Sequence, residues 1–143
     1  MPKKPQASLI TNKSNIAYLS GFTGSSGFML LTKSETYLFT DFRYIERAKN
    51  TIKKGIKIID TTKIRKNPKE IKKEWQTILK KHRITNLGVE ESDLTVTKYK
   101  KFKKLFPKVK LTDISGKIEK DRELKSRTEL ALLQRSQQIN EKT

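Results

Sequence analysis

The sequence predicts an α/β domain, with a mixed β-sheet of about five or six strands flanked by helices. Three observations carry that prediction. Short β-rich segments alternate along the chain with longer amphipathic ones. Two of the β-rich segments, FMLLT (28–32) and TYLFTD (36–41), are separated only by KSE, which makes them an antiparallel hairpin among otherwise helical connections. The chain has 143 residues, 34% apolar and 34% charged, enough for one domain that buries about two thirds of its unfolded surface.

The elements follow in order. ASLIT (7–11) reads as a short strand, and NKSN (12–15) as a turn, because Asn and Ser side chains bond their own backbone. The hairpin comes next. RYIERAKNTI (43–52) reads as a helix with Asp41 or a neighbour as its cap. GIKIIDTT (55–62) is a strand opened by a glycine. NPKEIKKEWQTILKKHR (67–83) is the clearest helix. Pro68 suits its first turn, and Ile71, Trp75, Ile78 and Leu79 share one face at i, i+4, i+7, i+8. NLGVEE (86–91) is the next strand. TVTKYKKFKKLFP (95–107) is an amphipathic helix with Tyr99, Phe102, Leu105 and Phe106 inward, ended by Pro107. KVKLTDIS (108–115) alternates as a strand does. Ser126 and Glu129 then form an S-x-x-E capping box for a helix that meets no stop signal before residue 143, so the chain is expected to continue into a larger protein.

Composition narrows the function. No apolar run approaches the ~20 residues of a membrane span. The start, MPKKPQASLIT, has no apolar core of a signal peptide, so a cytoplasmic location is expected. The absence of cysteine removes disulfides, thiolate metal sites and cysteine nucleophiles. The formal net charge is +18. One reading is a basic nucleic-acid-binding module, since Lys and Arg neutralise phosphates. The other is a drift toward lysine, because 26 of the 33 basic residues are Lys and they spread over the whole chain. His82 reads as a solvated helix end beside Lys81 and Arg83. Asp60, Glu90, Glu91, Asp93 and Asp113 sit at strand ends and read as caps, with no metal-ligand spacing among them.

The segment YLSGFTGSSGF (18–28) places Gly21, Gly24 and Gly27 within seven positions. It is not a P-loop, since no Lys follows Gly27 and a strand, not a helix, comes next. The dinucleotide pattern and the RNA-binding GXXG loop fail on the same missing helix. What remains is a tight loop before a hairpin, either a plain turn or a loop that guards something.

The run NIAYLSGFTGSSGFMLLTKSETYLFTDFRYIERAKN (15–50) resembles the N-terminal domain of the creatinase, prolidase and aminopeptidase P family. That family shows N-x-x-Y-L-T/S-G-F-T-G-S, a hairpin, then F-T-D-x-R-Y opening a helix; the matches are Asn15 to Ser25 and Phe39 to Tyr44. NLGVEESDLTVTKYKKF is similar to the family's G-V-E and the helix after it. RELKSRTELALLQRSQQI is similar to its linker R-x-x-K-S-x-x-E. The likeness covers about residues 7 to 140.

The resemblance implies a creatinase/prolidase-type N-terminal domain over 1–122, with a ribonuclease H-like motif, and a linker helix over 123–143 leading toward a pita-bread metallopeptidase domain. It implies no catalytic residue and no metal ligand in this chain. Two divalent metal ions (manganese, cobalt or zinc) are expected in that further domain. A parent that cleaves the bond before proline is implied, with the domain helping to build a homodimer and to wall the active-site entrance. Gly21, Phe22, Thr23, Gly24, Ser25, Ser26 and Gly27 would form a guard loop. Asp41 would cap the helix after the hairpin, and Arg43 and Tyr44 would either reach a partner or substrate end or tether the loop within the domain. Partners are the chain's own catalytic domain and a second copy, with a peptide substrate only in the full-length protein; neither membrane nor nucleic acid is expected. One departure is the start: MPKKPQ is too short for the amphipathic helix usual before the first strand, so one sheet face is expected to lack that cover.

Overall fold

The computed structural model describes residues 4–62 and 67–125. The capping box at Ser126 and Glu129, the rest of the expected linker helix and the side chain of Ile71 lie outside what it describes. Six strands, β1 (Ala7–Ile10), β2 (Phe28–Leu31), β3 (Thr36–Thr40), β4 (Ile56–Asp60), β5 (Asn86–Val89) and β6 (Lys110–Asp113), form one sheet in the order β4-β3-β2-β1-β5-β6. The β1–β2 and β2–β3 pairs are antiparallel, and β3–β4, β1–β5 and β5–β6 are parallel. The predicted mixed sheet and its 28–41 hairpin are therefore present.

Period-two alternation divides the strands between two cores. Leu9, Leu30, Phe39, Leu87 and Val89 face one side, where α3 (Pro68–Lys81) and α4 (Val96–Leu105) pack through Trp75, Ile78, Leu79 and Phe106. Ile10, Met29 and Leu38 face the other side, toward α1 (Lys13–Ser20) and α2 (Phe42–Thr51), joined by Ile114 and Ile118. Residues 117–125 are also helical. The short N-terminal stretch leaves neither face of the central strands bare. Leu9 and Ile10 are fully buried, and β5 is buried along its length.

The expectation at 12–15 is corrected. Those residues do not form a stand-alone turn but open α1. Asn12 caps the helix, its side chain accepting from Asn15 N at 3.1 Å. The same property that suggests a turn, an Asn oxygen seeking a backbone amide, also suits a helix N-cap. His82 is corrected too. Its side chain is only 8% exposed, and Nε2 lies 2.8 Å from Tyr37 Oη and 3.3 Å from Glu35 Oε2.

Glu35 gathers these groups at the β2–β3 turn. It also accepts from Lys57 Nζ (2.8 Å) and Lys81 Nζ (3.1 Å), and Tyr37 donates its hydroxyl proton to Glu35. The bonds from Lys57, Tyr37 and Lys81 hold the Glu35 carboxyl down at about 2. Burial, with the bond to Glu35, pushes the Tyr37 phenol up to about 12. A carboxyl depressed on folding stabilises the native state above its ordinary pKa near 4.5, and that stabilisation disappears as pH falls toward 2. The wild type is thus expected to lose Tm between pH 4.5 and 2. Glu35→Gln should have a lower Tm at neutral pH and a shallower decline over that window. Parallel acid titration curves for the two proteins, followed by circular dichroism, would remove Glu35 from the account.

Candidate functional site

The loop from residue 21 to 27 links α1 to β2 and is shaped by its own sequence. Gly21 ends α1 with φ +83°, its amide donating to Ala17 O at 2.8 Å, and a Cβ there would stand 2.9 Å from Thr51 O. Only glycine takes both the left-handed angle and the close backbone. Ser20 is fully buried. Its hydroxyl donates to Ile16 O (2.6 Å) and accepts from Phe22 N (3.0 Å), turning the chain inward. Phe22 is buried against Tyr44, edge to face at 6.2 Å, and its ring fills the space a Cβ on Gly24 would need. Phe22 thus anchors the loop, while Thr23 and Ser25 are exposed and Ser26 and Gly27 half-buried.

The segment after the hairpin faces the same loop. Asp41, buried, caps α2 by accepting from Arg43 N at 3.0 Å. The Arg43 guanidinium also turns back on it, Nε to Oδ1 at 3.1 Å and an Nη to Oδ2 at 2.8 Å. That fork holds the Asp41 carboxyl at about 2 and raises Arg43 in turn. Arg43 lies over the Tyr44 ring at 5.3 Å, and the Tyr44 hydroxyl is hydrogen-bonded to Ser25 Oγ. Thr40 Oγ1 donates to Ser26 O at 2.7 Å. Loop and post-hairpin segment are therefore one unit, with Arg43 and Tyr44 engaged inside the domain. Phe42, beside Asp41, is 66% exposed. A cleft of about 280 Å³ opens next to Ser26 and Gly27, floored by Phe28, Phe39 and Trp75.

A second constellation lay hidden in three separate stretches of sequence. Asn15 is fully buried in α1. Its Nδ2 donates to Glu90 Oε2 at 2.6 Å and to Glu119 Oε1 at 2.9 Å, and its Oδ1 accepts from Arg122 at 2.8 Å. Glu90 Oε1 in turn accepts from Thr11 N (2.8 Å) and Asn12 N (3.0 Å). The Asn15 amide holds the Glu119 carboxyl below its ordinary range. Asn15, Glu90 and Arg122 belong to the three family-like segments quoted above, and one polar network joins them. Each segment holds several polar residues, so nothing local in the sequence marks these ones as partners.

Among the described residues, no group of three or more His, Cys, Asp and Glu side chains could hold a metal ion. No described helix is long and apolar enough to cross a membrane.

The sequence profile of the creatinase/prolidase N-terminal domain matches residues 3–124. The chain belongs to that family. An uncharacterized peptidase of Bacillus subtilis strain 168, YqhT, is 29% identical over 131 residues, covering 92% of this chain and 35% of YqhT. The Xaa-Pro dipeptidase of Bacillus anthracis is 30% identical with a TM-score of 0.69, over 82% of this chain and 31% of that one. An Xaa-Pro aminopeptidase structure from Streptococcus pyogenes is 28% identical with a TM-score of 0.67, over 80% of this chain and 81% of that one. This creatinase/prolidase N-terminal domain thus spans about a third of the length of YqhT and of the B. anthracis dipeptidase. In the family's terms, the Asn15 network ties the first helix of the domain to the helical segment at 117–125.

Proposed function

We propose that this domain is the non-catalytic N-terminal part of a cytoplasmic, proline-specific metallopeptidase that acts as a homodimer. In this reading the 21–27 loop walls the entrance to an active site whose two divalent metals and catalytic groups belong to a further domain. The observation that carries the reading is the division of labour within the loop. Phe22 and the glycines fix its shape from inside and the Ser25 hydroxyl ties it to Tyr44, while Thr23 and Ser25 are both exposed and lie outside the core. A rigid loop that carries exposed polar side chains suits contact with something outside the domain. The exposed Phe42 next to it offers an apolar contact to the same neighbour. Arg43 and Tyr44 act as tethers that hold the loop to α2.

Replacing Thr23, Ser25 and Ser26 together by Ala should change the stability of the isolated domain by no more than about 0.5 kcal/mol per site. In the full-length protein the same changes should lower kcat/KM for Xaa-Pro peptides, because entrance residues position substrate. A large loss of stability with unchanged kinetics would reduce the loop to a structural turn. The 143-residue chain alone should hydrolyse no Xaa-Pro peptide with added manganese or cobalt. Metal-dependent turnover that survives repurification would contradict that.

A further inference from the structure

The lysines look evenly spread in sequence, but the topology does not leave them so. Residues 67–83 and 95–110, which contain α3 and α4, hold thirteen Lys and Arg against two acidic residues, Glu70 and Glu74. All thirteen cations are exposed. Because α3 and α4 pack side by side on one face of the sheet, eleven of the chain's eighteen net positive charges fall on one layer.

Between the C-terminal half of α3 and the loop before β6 lies a groove of about 590 Å³. Lys72, Lys80, Arg83 and Lys108 line it, and no carboxylate does. None of these four forms a salt bridge among the described residues. The floor is Leu79 and Phe106, both buried. Arg83 supplies an independent observation. The end of α3 is a Schellman motif, with Arg83 N donating to Lys80 O (3.2 Å) and Ile84 N to Leu79 O (2.9 Å). Arg83 therefore stands where glycine is normally found, at φ +51°, and is the one non-glycine residue with positive φ among those described. A non-glycine residue held at a left-handed backbone angle in the lining of a cationic groove is a pointer to use.

We propose that this groove and the lysine face around it bind the phosphate backbone of nucleic acid without reading base sequence. Twelve of the thirteen cations are Lys, compact point charges suited to single phosphates, whereas readers of base edges favour the arginine fork. The charges extend along α3, about 21 Å of helix, which suits a repeating polyanion better than one isolated anion. Half-buried Leu105 and Val109 and exposed Pro107 also line the groove, so an acidic peptide is the competing ligand that the test must separate.

The test is fluorescence anisotropy of the 143-residue chain with a labelled duplex of about 20 base pairs, repeated over a salt series. The log–log salt slope should be at least about −3, from four groove contacts at roughly 0.9 each. The quadruple change Lys72→Gln, Lys80→Gln, Arg83→Gln, Lys108→Gln should weaken binding at least about tenfold at low salt and flatten the slope by about 3. Removing four cations from the opposite layer and its margin, Lys13→Gln, Lys49→Gln, Lys54→Gln and Lys117→Gln, should have a much smaller effect. Arg83→Gly should raise Tm, by relieving the left-handed angle, and yet weaken binding; that combination separates use of the side chain from damage to the fold. Equal losses from the two quadruple variants would reduce the effect to net charge and overturn the proposal. So would a flat salt dependence, or tighter binding of polyglutamate than of the duplex, which would make the groove a site for acidic protein.

Discussion

Trp75→Ala is expected to destabilise the domain by about 3–5 kcal/mol, the range for removing a large aromatic from a packed core. Trp75 is the chain's single tryptophan and only 4% exposed. Its ring stacks on Phe39 at 4.9 Å and on Phe28 at 5.8 Å, and meets Phe106 edge-on at 4.9 Å. It therefore joins β2, β3, α3 and the end of α4 at one point. Truncation would leave a void bounded by three rigid rings that cannot collapse into it, so the cavity term adds to the lost transfer energy. Trp75→Phe should retain most of the contact. Chemical denaturation followed by circular dichroism reads the difference. A change below about 1 kcal/mol, or native tryptophan fluorescence that is red-shifted and freely quenched, would show that α3 does not seat this ring in the core.

Glu90→Ala is expected to cost on the order of 3–5 kcal/mol, through polar groups rather than packing. The carboxylate is buried and accepts from Thr11 N, Asn12 N and the Asn15 side chain. Its removal strands three donors, and each buried donor left unpaired costs about 1–3 kcal/mol, partly offset where water can enter. The loss should be local in a measurable way. Amide exchange should rise first in α1, because Thr11 and Asn12 lie at its N-terminal boundary. Glu90→Gln keeps an acceptor and should fall between wild type and Ala. Wild-type stability in Glu90→Ala would mean that these bonds are replaced by water at no cost.

Elements with a strong local period were legible in advance. The stripe of Trp75, Ile78 and Leu79 is buried as its spacing predicts, and the hairpin at 28–41 pairs Phe28 with Phe39 through Leu31 with Thr36. Asp41 was legible as a cap because an acidic residue before a helical run satisfies orphan amides wherever it occurs. The helix α1 was missed for the converse reason. Its apolar residues, Ile16 to Leu19, are consecutive rather than spaced along one face, so nothing periodic outweighed the turn chemistry of Asn12 and Ser14. At the candidate site, the loop and its glycines could be read in sequence, since positive φ restricts residue choice locally. The bonds of Arg43 to Asp41 and of Tyr44 to Ser25 could not, because a polar side chain carries no record of its partner.

The sequence by itself determined what depends on neighbours along the chain: the order of the strands and of the helices after the hairpin, their buried stripes, the Asp41 cap, and the loop that cannot open onto a phosphate-binding helix. Tertiary structure alone decided what depends on pairs far apart. It brought Asn15 to Glu90 and Arg122, buried the expected helix end at His82 against Tyr37 and Glu35, and gathered lysines onto the α3–α4 layer. The physical reason is the same in each case. Periodicity and capping are fixed by backbone geometry over a few residues, whereas hydrogen-bond partners and surface fields follow from which strands lie side by side, and that order, β4-β3-β2-β1-β5-β6, is not the order of the chain.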